Sequence, residues 1–407
     1  MILFLYNTLQ NGGNDLENNM ISIWANAHID CRLICPRTGG RITKIQIHSP
    51  MAGHKMRVVL SNRYGKKALE IKRITAKIGR RTVVFHFDGR ESVTIASGGE
   101  QFSDFCEIRI DPESEITVYT YYNNGEHAQS GNYVYSQEHS TRGCKDEETY
   151  KKAPYMNIIP PIYNRIVPGM MREPVTTLLS VDIAADDPNA FAIAAFGDSI
   201  TLLDGWVNAL REKLKEHHGG QISLLNMSIT GNRLLRDTNI PLLNQFFGRS
   251  ARKRIEWDLF SLSGLKYVIA ALGTNDLIQP DTDIFSPPLS ESVTGEEMIE
   301  GYRALIARCH EKNLKVVGCT ILPFGLSRTA TGETMKTRRE INQWILESGE
   351  FDYTIDFASS IADPEDPETI QKSLCFSDRA HPTPAGGAAM ADAVDLEMFL
   401  SEARIEG

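Results

Sequence analysis

The feature that most constrains the fold is the alternation of apolar strands and helical segments after residue 190. Five apolar runs read as strands: Phe191–Phe196, Ile222–Ile229, Tyr267–Leu272, Lys315–Ile321 and Tyr353–Phe357. Between and after them lie helical patterns: Trp206–His217, Arg249–Leu262, Gly295–Glu311, Glu333–Leu346 and Pro384–Leu400. Near-continuous apolar strands joined by helices are typical of a parallel sheet that is buried on both faces. We therefore predict a doubly wound α/β domain over residues 187–407, with a five-stranded parallel sheet.

The N-terminal half has a different pattern, in which short β-rich runs are bounded by glycine, aspartate and asparagine. The predicted strands are Met56–Leu60, Leu69–Ile78, Thr82–Phe87, Ser92–Ile95, Glu107–Ile110 and Ile116–Tyr122. Short strands at a spacing of roughly 8–12 residues favour a sandwich or barrel. We predict an all-β, jelly-roll-like sandwich within residues 1–186, followed by a long polar connector over residues 126–172.

Composition narrows the classes of function. The chain has 407 residues, of which 42% are hydrophobic, and a net charge of -9, which argues against a nucleic-acid partner. No apolar run reaches the roughly 20 residues that a membrane-spanning helix needs, and the N-terminus is a poor signal peptide. The seven cysteines are scattered, so we predict no disulfide framework and a reducing, cytoplasmic location. Cys31 and Cys35 lack a second ligand pair, and we predict no metal site.

Polar residues follow the first strand and precede the last predicted helix, and they suit acyl transfer. Ser199 lies where the first strand turns into a helix. A serine hydroxyl needs an adjacent base to become a nucleophile, and His381 is the candidate base. Asp378, three residues earlier, can accept the other ring N–H of His381 and fix its tautomer. Thr383 and Pro384 fit the cap and first residue of a helix that would anchor this turn.

Two further clusters follow the second and third strands and provide donors for an oxyanion. A tetrahedral intermediate needs hydrogen-bond donors aimed at its charged oxygen. We predict three: the backbone N–H of Ser199, the backbone N–H of Gly231 and the side-chain amide of Asn275. Asp276 is expected to order the turn beneath Asn275 rather than to react.

These blocks together resemble the SGNH (GDSL-like) serine hydrolases. Four blocks occur in the order of that family: Gly197-Asp198-Ser199, Gly231-Asn232, Gly273-Thr274-Asn275-Asp276, and Asp378 to His381. The resemblance covers residues 191–397. It implies a serine nucleophile, an oxyanion hole formed by Ser199, Gly231 and Asn275, a flavodoxin-like sheet and a reaction that needs no cofactor.

Neighbouring residues resemble one subgroup of that family, which is associated with breakdown of plant cell-wall polysaccharides and with aryl esterase activity. The segments that carry this likeness are Ser199 to Trp206, Ser228 to Leu235, Asn62-Arg63-Tyr64-Gly65, and Phe87 to Ile95. Members often have a β-sandwich before the catalytic domain. This chain departs from the pattern at Leu202-Leu203, which lengthen the connection after the nucleophile and make it less polar.

The resemblance implies a small ester substrate, with an acetyl group on a carbohydrate as the first choice. Candidate substrate contacts are Asp198, Asn232, Trp206 and Tyr133, although Trp206 also fits a core position on its helix. A lipase or thioesterase is the alternative enzyme, and a catalytically silent carbohydrate-binding protein is the alternative of another class. A homodimer in which the β domain closes the cleft is a further alternative.

Overall fold

A computed structural model of the chain describes residues 19–31, 38–133, 139–142, 175–238, 247–280, 287–327 and 330–399. Up to residue 185 the described chain consists of strands: β1 (Met20–Ala25), β2 (Ile29–Asp30), β3 (Ile42–His48), β4 (Gly53–Ser61), β5 (Leu69–Ile78), β6 (Arg81–Phe85), β7 (Val93–Ile95), β8 (Glu100–Phe102), β9 (Cys106–Ile110), β10 (Glu115–Tyr122), β11 (Ser130–Asn132), β12 (His139–Arg142), β13 (Val175–Thr176) and β14 (Leu178–Ala185).

These strands pair antiparallel in three sheets. One has the order β1-β14-β4-β8, with β9 also on β4; the second has the order β12-β3-β10-β5-β6, with β7 also on β5. A small third sheet has the order β13-β11-β2. Buried residues of β4 and β14 and of β5 and β10 belong to one apolar cluster, so the two larger sheets share a core. The predicted antiparallel β-rich region is confirmed, whereas its boundary at residue 186 stays a prediction.

The second half contains the predicted alternation. Its strands are β15 (Phe191–Gly197), β16 (Ile222–Asn226), β17 (Leu265–Ala271), β18 (Lys315–Cys319) and β19 (Tyr353–Ile355). Its helices are α1 (Ser199–Leu202), α2 (Gly205–His218), α3 (Ala251–Asp258), α4 (Thr274–Ile278), α5 (Gly295–His310), α6 (Gly332–Glu347), α7 (Phe357–Ile361) and α8 (Pro384–Asp392), and a 3-10 turn spans Leu396–Phe399. The predicted last helix therefore ends eight residues early, and the second, over 249–262, is shorter at both ends.

The five strands form a parallel sheet in the order β16-β15-β17-β18-β19, which confirms the doubly wound fold. Helices α2, α7 and α8 pack on one face. Helices α3, α5 and α6 pack on the other face, in the same apolar cluster that fills the β-rich region. The carboxyl ends of the strands are the edge where ligands bind in such sheets.

The cysteines of the described residues include both bonded and free thiols. The sequence predicted no disulfide framework, but Cys31 is disulfide-bonded; scattered cysteines can still meet in the folded chain, so the spacing argument is wrong at this position. Cys309 and Cys319 are free and buried. None of the described helices is long and apolar enough to cross a membrane.

Candidate active site

Ser199 sits at a sharp turn from strand to helix. Strand β15 ends at Gly197, where a Cβ would lie 2.2 Å from the Thr201 hydroxyl oxygen, so this turn requires glycine. Asp198 is the N-cap of α1, and its carboxylate accepts a hydrogen bond from the backbone N–H of Ile200 at 3.0 Å. Ser199 is therefore the first residue of the helix, above the carboxyl edge of the sheet, and it is 9% exposed.

Ser199, His381 and Asp378 form one hydrogen-bonded chain. The Nε2 atom of His381 lies 2.9 Å from the Ser199 hydroxyl, and its Nδ1 atom lies 2.5 Å from Asp378 Oδ2. The turn that carries both residues precedes α8, whose N-cap is Thr383 and whose first residue is Pro384. The helix cap predicted from the sequence is present, and it fixes the turn on a regular element.

The carboxylate of Asp378 is built to stay ionised. Its Oδ1 atom accepts the backbone N–H groups of Ala380 and His381 at 3.0 and 3.1 Å. Partial burial raises the pKa of Asp378, but the hydrogen bond from the His381 ring and these N–H groups outweigh burial and hold the pKa below its usual value. An ionised Asp378 requires a proton on Nδ1 of His381, which leaves Nε2 free to accept the serine proton.

Two backbone N–H groups are available for an oxyanion. Gly231 has a φ of +65°, and a Cβ there would lie 2.3 Å from the Phe247 ring, so both the backbone conformation and the space exclude other residues. Among the described residues, no acceptor pairs with the backbone N–H of Ser199 or of Gly231. Gly231 follows β16 and Ser199 follows the adjacent β15, so both groups belong to the same edge.

Asn275 is at this edge, but its amide is already engaged. It donates to the Asp198 carboxylate at 3.0 Å and to the Asn232 carbonyl at 3.2 Å. A role as third oxyanion donor therefore requires that an amide hydrogen of Asn275 leave one of these acceptors. Gln279, which the sequence reasoning missed, donates to the Gly231 carbonyl at 2.7 Å and to Asn275 Oδ1 at 3.2 Å. Gln279 follows Asn275 by four residues, and this spacing places two side chains on the same face of a helix. It was the sequence pattern that could have identified Gln279 as a partner of Asn275.

Two buried carboxylates support this arrangement. Asp276 accepts the backbone N–H groups of Leu234 and Leu235 at 2.7 and 3.0 Å, so it orders the loop after Gly231. Burial raises the pKa of Asp276 to about 6, against the opposing effect of these N–H groups. Burial likewise raises the pKa of Asp198 to about 6. Both side chains are fully enclosed and act through the backbone that they hold.

All four residues that the sequence predicted to contact substrate are buried. Asp198, Asn232 and Trp206 are 2%, 1% and 1% exposed. The Asn232 amide donates to the carbonyls of residues 247 and 249, and Trp206 packs on Phe357 with ring centroids 5.1 Å apart. These contacts give Asn232 and Trp206 structural roles, and substrate contact by the three residues stays a prediction. Tyr133 is 5% exposed and lines a cavity of about 350 Å³. Leu202, in the lengthened connection after Ser199, lines the same cavity.

A Ser-His-Asp chain with these distances is the arrangement that serine hydrolases use on several unrelated folds. Residues 195–389 match the family model described as the GDSL-like Lipase/Acylhydrolase family. This part of the chain is a GDSL-like lipase/acylhydrolase domain, and the protein is a carboxylic ester hydrolase.

Solved structures with a similar fold include Axe2, an acetylxylan esterase from Geobacillus stearothermophilus, at 18% identity and a TM-score of 0.38, covering 52% of this chain and 95% of that one. A GDSL-like lipase from Bacteroides thetaiotaomicron matches at 16% identity and a TM-score of 0.37, covering 52% and 88%. LAE5, an alpha/beta hydrolase enzyme from the metagenome of Lake Arreo, matches at 19% identity and a TM-score of 0.38. The match covers 50% of this chain and 94% of that one. At such scores these likenesses carry no argument about substrate. A search of curated proteins gives no match.

Proposed function

We propose that this protein hydrolyses short-chain acyl esters, in the first place acetyl groups on carbohydrates, through an acyl-enzyme on Ser199. The observation that carries the proposal is the hydrogen-bonded chain from Ser199 through His381 to Asp378, with distances of 2.9 and 2.5 Å. A nucleophile, a base within hydrogen-bond reach and a group that orients the base are the parts that this chemistry requires.

The reaction proceeds in two steps. Nε2 of His381 takes the proton of Ser199 as the serine oxygen attacks the ester carbonyl, and the alcohol leaves with that proton. Water, deprotonated by the same nitrogen, then attacks the acyl carbon. The bond from that carbon to the Ser199 oxygen breaks, Nε2 of His381 returns the proton to Ser199, and the carboxylic acid leaves. In both steps the oxyanion accepts hydrogen bonds from the N–H groups of Ser199 and Gly231, and Asn275 joins them when it releases one of its present acceptors.

The preference for an acetyl group rests on the subgroup likeness and on the preceding β region. The most direct test compares aryl acetate, butyrate and octanoate esters by kcat/KM. We expect kcat/KM to be highest for the acetate. A preference for octanoate would favour a lipase or thioesterase and would refute the short-chain assignment.

The carbohydrate part of the proposal needs a separate test. Acetylated xylan, mannan and pectin are incubated with the protein, and the released acetate is measured, with the Ser199→Ala variant as the blank. We expect serine-dependent release from at least one polymer. Activity on aryl acetate without release from any of them would leave the esterase in place and remove the carbohydrate substrate.

A further inference from the structure

The turn Asn62-Arg63-Tyr64-Gly65, which follows β4, has no part in the mechanism above, although it is one of the more distinctive segments of the first half. Asn62 is 1% exposed, and its amide donates to the carbonyls of Lys67, Ile95 and Ala96. A Cβ at Gly65 would lie 1.9 Å from Asn62 Oδ1. The turn is therefore rigid, and Arg63 extends from a fixed base.

Arg63 reaches out of the β-rich region to helix α3. Its guanidinium donates to Asp258 Oδ1 at 3.1 Å, to the Trp257 carbonyl at 3.3 Å and to Glu100 at 2.5 Å. The guanidinium also lies 4.8 Å from the centre of the Trp257 ring. The side chain of Arg63 is 7% exposed and that of Asp258 is 1% exposed, so solvent screens this ion pair weakly.

Asp258 passes the contact to a second arginine. Its Oδ2 atom accepts from Arg254 at 2.9 Å, and the Arg254 side chain is 2% exposed. The row therefore alternates in charge: Glu100, Arg63, Asp258, Arg254. A buried guanidinium is costly unless its charge and donors are all matched, and Asp258 supplies the charge that Arg254 needs.

The remaining donors of Arg254 hold the two segments that carry the reacting groups. They bind the carbonyl of Gly197 at 3.0 Å, the carbonyl of Met227 at 2.8 Å and Asn232 Oδ1 at 2.9 Å. Gly197 is two residues before the nucleophile, and Asn232 is next to the oxyanion glycine. The planar guanidinium fixes the distance between these segments.

We infer that Arg63 is a positioning residue for catalysis: through Asp258 and Arg254 it sets the spacing between Ser199 and the N–H of Gly231. The β-rich half is thus part of the catalytic scaffold and not only a neighbouring module. This inference rests on the proposed function. Because a displacement of about 1 Å costs about 100-fold in rate, Arg63→Met should lower kcat by about 10- to 100-fold, with KM changed less than about threefold.

The control is Arg57→Met. Arg57 lies on β4, near Arg63 in sequence, and its side chain is 14% exposed in an ion pair with Asp182 at 3.1 Å. It also reaches into the second half, to the Ser263 hydroxyl at 3.2 Å, but Ser263 precedes β17 and is at the opposite edge of the sheet from Ser199. Arg57→Met loses a comparable contact and should keep the kcat of the wild type.

The assay measures kcat and KM on an aryl acetate for the full chain, with thermal unfolding as a check of folding. Arg63→Lys restores one charge without the planar fork and should recover part of kcat, which a loss of bulk stability alone would not predict.

If Arg63→Met does not fold, the near-isosteric Asp258→Asn tests the same link and should show the same loss of kcat. Folded variants of Arg63 or Asp258 with kcat within twofold of wild type would overturn the inference, as would an equal loss in Arg57→Met. A wild-type protein without esterase activity would instead refute the proposed function.

Discussion

Asp378→Asn is the substitution whose effect follows most directly from the hydrogen bonds of the site. In the wild type, Oδ1 of Asp378 accepts two backbone N–H groups, and Oδ2 faces Nδ1 of His381. An amide has only one acceptor atom, and the two N–H groups require it at the Oδ1 position. The new NH₂ group must then occupy the Oδ2 position and donate to Nδ1.

This reversal puts the histidine in the wrong tautomer. When Nδ1 accepts a hydrogen bond, the ring proton moves to Nε2, which then donates to Ser199 instead of taking its proton. Loss of the correct tautomer in a triad of this kind costs about 10⁴-fold in kcat, which corresponds to roughly 5.4 kcal/mol of transition-state stabilisation at 1.36 kcal/mol per factor of ten. We therefore expect kcat to fall by about four orders of magnitude, while the fold is retained.

Two measurements check this reasoning. The first is kcat on an aryl acetate, with Ser199→Ala as the baseline. The second is the rate at which a fluorophosphonate labels Ser199, which should fall in parallel because labelling needs the same proton transfer. Turnover within tenfold of the wild type in a folded Asp378→Asn protein would refute the tautomer argument. Slow turnover with unchanged labelling would show that Asp378 acts after acylation.

Three further predictions concern the nucleophile, the oxyanion loop and the buried carboxylates. Ser199→Ala should abolish ester hydrolysis with thermal unfolding almost unchanged, and near wild-type turnover would contradict the nucleophile assignment. Gly231→Ala should lower kcat by about 10²–10³, because a Cβ would meet the Phe247 ring at 2.3 Å; Gly219→Ala, which has a similar positive φ but open space around its Cβ, should keep wild-type kcat. Asp276 has a folded-state pKa of about 6, above its unfolded value, so its contribution to stability is full below about pH 4 and is lost as the pH rises through 6. In urea titrations, the free energy of unfolding of the wild type relative to Asp276→Asn should fall by about 2–3 kcal/mol over that window. If the unfolding free energies of the two proteins changed equally with pH, the pKa of Asp276 would not be raised in the folded state.

Sequence reasoning predicted the parallel sheet closely, since its signal is local. The predicted strands and helices after residue 190 fall within a few residues of their observed bounds, because each is an apolar run or a face of helical spacing; the exception is the last helix, which ends eight residues early. Strands β1 and β14 pair with each other over a distance of about 160 residues, and nothing in either segment indicates its partner. Strands β3 and β14 were not named in advance, so the order within the β-rich sheets could not be predicted.

The candidate catalytic residues could be picked out from the sequence for a different reason, and their roles stay predictions. A nucleophile and its base must be polar residues at the carboxyl ends of strands or just before a helix. At Gly231 the positive φ and the nearby Phe247 ring together require glycine, so chemistry restricts these positions. The residues that hold the catalytic groups in position are not restricted in this way. Arg254 reads as one basic residue in a charged helix, and its burial becomes visible only when three segments close around it.

The structural roles of Asp198 and Asn232 could not be predicted from the sequence for the same physical reason. Their positions next to the reacting groups suggested a surface role, but both are enclosed, and their polar atoms are matched by Ile200, Asn275 and Arg254. An unmatched buried polar group costs about 1–3 kcal/mol. Moving either partner of these hydrogen bonds would therefore be costly, so the two partners hold each other in position. Such a network holds the backbone at Ser199 and Gly231 in place, whereas the Asn275 amide must leave one of its present acceptors before it can donate to an oxyanion.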